Sequence, residues 1–165
     1  MREEMKYCMH CGTRLETRFL EGEGRVPWCP SCEEFCFPVF NTAVSMIVRN
    51  SEGKIILLKQ YGRDRYIMVA GYVNRGEDAE DAVKREIREE LDMTVESMHF
   101  NRSHYFEPSN TLMLNFSVTV KETFPHPNRE VDQWSLFTDE EAKQNIADGS
   151  LAEKFLLWAL DGRDF

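Results

Sequence analysis

Two pairs of cysteines and a crowd of glutamates are the residues of this chain whose types and spacing could do chemistry. Cys8 and Cys11 form one C-x2-C pair and Cys29 and Cys32 another, with 17 residues between the pairs. Four thiolates on two tight knuckles can close a tetrahedron around Zn²⁺, and this spacing falls in the zinc-ribbon range. Gly12 and Pro30, in "CGTR" and "CPSC", stand where knuckle turns call for them. A four-sulfur site keeps no open coordination position, so zinc there would support folding rather than catalysis. Two disulfides or a redox pair are the competing readings. A redox motif has no use for a matched second pair, and a reducing compartment disfavours disulfides. Cys36 stands outside the set and reads as a buried thiol.

The stretch "GYVNRGEDAEDAVKREIREELDM", Gly71 to Met93, holds eight acidic residues, four of them within seven positions near its end. On a helix over 78–91, at about 100° per residue, Ala79, Val83, Ile87 and Leu91 line up as an apolar stripe. Glu86, Glu89 and Glu90 fall at i, i+3 and i+4 on one sector beside it. Like charges so placed destabilise a helix unless something neutralises them, and a hard divalent cation with oxygen ligands does so directly. A solvated charged face is the ordinary alternative. The adjoining apolar stripe, and Gly71 and Glu77 at a set spacing ahead of the glutamates, favour metal.

These residues need elements to hold them. The 165 residues suit one ordinary domain with a small appendage, and 42% hydrophobic content is enough for a core. Residues 1–37 are cysteine-bearing and turn-rich; 38–165 should form the main domain. Strands are predicted over 40–48, 54–60 and 65–71, then a strand pair over 96–106 and 111–122 around the loop "EPSN", and a short strand over 133–137. Two closing helices begin with capping-box spacing, Thr138 with Glu141 and Ser150 with Glu153. Irregular alternation of strands and helices predicts an α/β fold with a mixed sheet flanked by helices.

Charge narrows the partners. A formal net charge of -9, from 29 acidic and 20 basic residues, argues against broad binding to nucleic acid or an anionic membrane. The ribbon's Arg2, Lys6, Arg14, Arg18 and Arg25 are interleaved with glutamates, so no clean basic face emerges. No apolar run is long enough to span a bilayer, and "MREEMKYC" has no apolar signal core. A soluble cytoplasmic protein is expected, its odd number of cysteines suiting a reducing compartment.

Gly71, Glu77, Arg85, Glu86, Ile87, Glu89, Glu90 and Met93 together resemble the Nudix box, which departs here only where Asp92 replaces its second glycine. The resemblance implies a Nudix α/β/α sandwich preceded by a zinc ribbon, hydrolysing a nucleoside diphosphate linked to another group. It implies that Glu86 and Glu90 bind Mg²⁺ or Mn²⁺, with the carbonyl of Ala70 as a further ligand. Glu89 would bind metal or help deprotonate water, and Glu77 would pair with Arg85 to hold the loop. Asp92 should take the left-handed backbone of a helix-ending glycine, at about 1 kcal/mol.

A four-cysteine ribbon ahead of "FCFPVFNTAVSMIV" is similar to the arrangement in NADH pyrophosphatases, a Nudix subfamily. Its selectivity motif corresponds to "SHYFEPSNTLMLNF": Ser103, Leu112, Met113 and Phe116 match, Phe106 stands for Trp and Thr111 for the last Ser. The prolines and glutamine are replaced, which implies a looser loop. Tyr105 or Phe106 could stack on a substrate ring or pack on the sheet, and His104 could hydrogen-bond substrate or be structural. Phe37 takes the place of the subfamily's Tyr before Pro38. Ala152 falls at a nucleotide-contact position, and Glu130 where a late metal-binding glutamate belongs. The resemblance runs from Cys8 to about Leu160, without the N-terminal domain of longer members. It implies cleavage of NAD(H) to nicotinamide mononucleotide and AMP, a small-molecule nucleotide substrate, and a homodimer. ADP-ribose or another dinucleotide stays open, as do a nicotinamide-capped RNA end and a non-catalytic module that binds nucleotide or nucleic acid.

Overall fold

A computed structural model describes residues 5–163, so Arg2 lies outside the described residues. The chain divides into two compact units, one ending at Phe40 and one beginning at Asn41.

In the first unit, β1 (Glu16–Leu20), β2 (Gly24–Cys29) and β3 (Glu34–Phe35) make a small antiparallel sheet. Its buried residues are few: Cys8, Val26 and Cys29. Trp28 packs edge-on to Phe35 with ring centroids 4.7 Å apart, and the Arg18 guanidinium lies 4.6 Å from the Trp28 ring. So thin a core is the kind that a bound metal stabilises. Cys36 is half-buried rather than buried: it lies just past the end of β3, its N–H still donating to the Pro27 carbonyl of β2 at 2.8 Å.

The second unit is built on β4 (Asn41–Arg49), β5 (Ile55–Gln60), β6 (Val69–Tyr72), β7 (Val95–Phe106), β8 (Thr111–Val120) and β9 (Val131–Phe137). The sheet runs β7-β8-β4-β5-β9, and β6 pairs with the first half of β4. Only β4 and β8 are parallel; the other pairings are antiparallel. Strands β4 and β5 read as continuous apolar runs because both faces are covered. Val44, Met46, Val48, Ile56 and Leu58 point one way, into a core shared with Ala82, Val83, Ile87 and Leu91 of α1 (Ala79–Leu91). Ile47, Ile55 and Leu57 point the other way. They meet Ala142 of α2 (Asp139–Asn145) and Phe155 and Leu156 of α3 (Leu151–Asp161). The result is a mixed sheet between helical layers.

Helix ends follow the capping chemistry, with one change. Thr138 and Glu141 form the full reciprocal box at α2. At α3 the Ser150 hydroxyl accepts from the Glu153 N–H, but the Glu153 carboxylate accepts from Gly149 N–H instead of Ser150. Asp92 ends α1 at φ 52°, ψ 43°, its N–H donating to the Arg88 carbonyl at 3.0 Å.

Candidate active site

The turn between β6 and α1 is held by its own side chains. Glu77 accepts from the Asn74 N–H at 2.8 Å and from Arg85 Nε at 2.7 Å and Nη2 at 3.0 Å. Arg85 Nη2 also donates to the Tyr72 carbonyl at 2.9 Å, so one guanidinium ties the strand, the turn and the helix together. Hydrogen bonds from Arg85, and then from the Asn74 N–H, hold the Glu77 carboxyl down at about 2, and the bond to Glu77 in turn raises the already high pKa of Arg85.

The three clustered glutamates of α1, Glu86, Glu89 and Glu90, differ sharply in environment. Glu90 is 5% exposed and accepts a 2.9 Å hydrogen bond from Gln60 Nε2. Burial, and then the charge of Glu86, push its carboxyl up to about 7. Glu86 sits between: burial raises its pKa, and Arg85 Nη1, donating at 2.5 Å, opposes the rise. Glu89, with its side chain 57% exposed, faces solvent and accepts from the same Nη1 at 3.1 Å. The single sector expected from spacing is therefore graded from core to water. Ala82 and Glu90 join the buried face alongside the stripe, while Ala79 is only partly buried.

Gly71 explains how Glu86 fits. A β-carbon there would lie 1.9 Å from the Glu86 carboxyl carbon, so only glycine lets the carboxylate rest against β6.

A cleft of about 490 Å³ opens over these groups. Arg85, Glu86, Glu90, Glu130, Ala70 and Thr111 all line it, gathered from α1, β6, β8 and the turn before β9. Glu130 arrives because the segment before β9 docks on the C-terminal end of α1. His126 and Asn128 donate backbone N–H groups to the carbonyls of Leu91 (2.8 Å) and Glu90 (3.0 Å), which a helix end leaves unpaired. Asn128 Oδ1 then accepts from the Glu130 N–H at 2.9 Å.

Glu77 and Glu89 flank the cleft without lining it, and so do the proposed selectivity residues His104, Tyr105 and Phe106 on β7. The Tyr105 hydroxyl donates to Asn110 Oδ1 at 2.6 Å across a one-turn 3₁₀ helix, Glu107–Ser109, and Ser109 Oγ donates to Thr111 at 2.9 Å. Those bonds hold the turn, where replacement of the prolines implied a looser loop. Ala152 packs with the α2–α3 core. Phe37 is an exposed residue of the first unit.

Sequence reasoning missed Gln60, Tyr61, Tyr72 and Met113. Tyr61, Tyr72 and Met113 line the cleft, and Gln60 buttresses Glu90 from beneath. A polar residue closing the apolar run "KIILL" was the available signal for Gln60; Met113 was seen only as a match to the selectivity motif, and nothing local marked Tyr61 or Tyr72.

The cysteines converge as their spacing predicts. All four sulfurs lie within 4.8 Å of one another, with Cys8 to Cys32 at 3.9 Å and Cys11 to Cys29 at 3.5 Å. A tetrahedron with Zn–S bonds of about 2.3 Å has edges of about 3.8 Å, so the set fits zinc, and all five cysteines are free thiols. Each knuckle closes alike: Gly12 N–H donates to the Cys8 carbonyl and Glu33 N–H to the Cys29 carbonyl, both at 2.9 Å. Both closing residues are left-handed, Gly12 at φ 72° and Glu33 at φ 57°. Among the described residues no helix is long and apolar enough to cross a membrane.

Comparison with known proteins agrees with this geometry. The NUDIX domain model matches residues 39–159. The NAD-capped RNA hydrolase NudC of Pseudomonas aeruginosa is 34% identical over 114 residues, 67% of this chain and 39% of that protein. NudC of Stutzerimonas stutzeri is 31% identical over 151 residues, 86% of this chain and 53% of its own. The chain thus spans about half or less of the length of these relatives. In fold it is similar to a NUDIX hydrolase from Nitrosomonas europaea, with TM-score 0.63, 20% identity, and coverage of 97% of this chain and 95% of that one.

Proposed function

The chain belongs to the NUDIX family, and on that premise we propose that it hydrolyses the pyrophosphate bond of NAD(H)-like dinucleotides to nicotinamide mononucleotide and AMP. The observation that carries this is the convergence of Glu86, Glu90, Glu130 and Ala70 on one solvent-open cleft.

Oxygen donors crowded in this way fit a hard divalent cation, Mg²⁺ or Mn²⁺. Glu90 supplies the chemical fit: a buried carboxyl driven up to about 7 by burial and by its neighbours is relieved by a cation beside it. Bound there, the cations would neutralise the diphosphate oxygens and acidify a water for in-line attack on phosphorus. Glu86 and Glu90 would hold them, with Glu130 and the Ala70 carbonyl completing the set. Glu89, at the wet end of the row, is suited to accept the proton of the attacking water or to hold a further ion. Arg85 and Glu77 hold the turn and so keep Glu86 in register with β6.

The relatives' name, NAD-capped RNA hydrolase, supports action on an NAD group carried by an RNA, while the free dinucleotide is what the subfamily resemblance implies. A net charge of -9 disfavours broad contact with an RNA backbone and so favours the small molecule. The domain boundary is proposed near residue 37, with structural zinc on Cys8, Cys11, Cys29 and Cys32. His104, Tyr105, Phe106, Thr111 and Ala152 are proposed to touch the nucleotide, in a cytoplasmic homodimer like those of the subfamily it resembles. A panel of NAD, NADH, ADP-ribose and FAD with product identification tests the assignment.

A further inference from the structure

Tyr61 occupies a place that local chemistry reserves for other residues. It follows β5 directly, where the pairing with β9 is interrupted by a bulge at Lys59/Gln60. Tyr61 and Gly62 are both left-handed, at φ 55° and 68°, and the Arg63 N–H donates to the Gln60 carbonyl at 3.1 Å. That is the geometry of a primed β-turn, whose first central position favours Asn, Asp or Gly. A bulky aromatic with positive φ is an outlier that the turn alone does not explain.

Packing does not explain it either. Tyr61 is 68% exposed, so its ring adds little to any core. The ring lines the same cleft as Glu86 and Glu90, and its hydroxyl donates to Glu130 Oε2 at 3.1 Å. Gly62 N–H is anchored to Asp132 Oδ2 at 2.6 Å, and this pins the turn to β9. A rigid turn thus presents a wet aromatic face beside a carboxylate cluster suited to phosphate-bound cations. The chain tolerates backbone strain that Asn would relieve, so a role for the ring in binding is what retains it.

Resting on the diphosphate-hydrolase reading, we propose that Tyr61 is the aromatic wall of the substrate site, with a base of the dinucleotide stacking on its ring. Stacking on one aromatic side chain changes base affinity by about fivefold or more.

The test is calorimetric binding, with Mg²⁺, of an NAD analogue whose bridging oxygen is replaced by methylene, and of inorganic pyrophosphate as a ligand without rings. Tyr61→Asn should weaken the analogue at least about fivefold, leave pyrophosphate unchanged, and unfold at a temperature no lower than wild type. Tyr61→Phe should bind the analogue within about twofold of wild type, because the ring remains. Unchanged analogue binding in Tyr61→Asn would overturn the proposal. So would equal weakening of both ligands, which would place the effect at Glu130 and the cations. Binding that follows the expected pattern in a protein that does not turn over NADH would uphold the wall and overturn the hydrolase reading.

Discussion

Gly71 and Glu86 are locked by size: the space a β-carbon would need at position 71 is already filled by the Glu86 carboxylate. Gly71→Ala must therefore push that carboxylate away from β6. The obstructing atoms end a flexible side chain, so stability should fall by no more than about 1 kcal/mol. Activity should fall about 100-fold, because a displacement near 1 Å at a reacting centre costs about that much. Steady-state rates beside a thermal melt check the split; a variant that loses stability but keeps its rate would show that Glu86 needs no such placement.

Arg85 serves four acceptors, Glu77, Glu86, Glu89 and the Tyr72 carbonyl, so Arg85→Ala should impair both fold and rate. It strands Glu77 without its ion pair and frees the Tyr72 carbonyl. A part-buried network of this kind is worth about 2–3 kcal/mol when one partner is deleted. Chemical denaturation gives the stability, and a loss under about 0.5 kcal/mol would contradict the structural role.

The same ion pair sets a pH dependence. Glu77 has its pKa lowered from 4.5 to about 2 by Arg85 and the Asn74 N–H. For a depressed acid the contribution is fully present above 4.5 and is lost as pH falls through about 2. Glu77→Gln should thus be less stable than wild type at pH 7, and the gap should shrink by roughly 40% at pH 3.5. Denaturation curves of both proteins at the two pH values decide it; a gap that widens in acid would refute the pairing.

Much of this was legible from spacing. The Nudix-box positions fixed α1, its register and its left-handed end at Asp92, because helical periodicity acts over neighbouring residues. The knuckles were legible for the same reason. What spacing could not reveal was depth: Glu86, Glu89 and Glu90 share a sector, yet β6 and the strand end at Gln60 bury one and leave another in water. Tyr61 was invisible because its role depends on a turn and on Glu130, 69 positions away. The partner of Glu153 was a local miss, decided by which N–H the turn before α3 presents.

The ribbon offers a test of its own. Glu33 holds the left-handed position that Gly12 fills in the other knuckle, at a cost of about 1 kcal/mol. Glu33→Gly should stabilise the zinc-loaded protein by up to that amount, whereas Cys29→Ser should lose the metal and unfold the first unit. Elemental analysis with proteolysis distinguishes them. Less than half a zinc per chain, in wild-type protein never exposed to chelator, would count against the site.

The central claim is metal-dependent cleavage of a dinucleotide at Glu90 and its neighbours. The most direct measurement is chromatographic identification of the products of NADH, with Mg²⁺ and with Mn²⁺, for wild type and Glu90→Gln. Wild type should release AMP and reduced nicotinamide mononucleotide in equal amounts. Glu90→Gln should stay folded and lose at least about 100-fold in kcat, since it removes one charge from the cation site and little else. Near-wild-type turnover in Glu90→Gln, or inert NADH and NAD beside rapid hydrolysis of a nucleoside triphosphate, would contradict it.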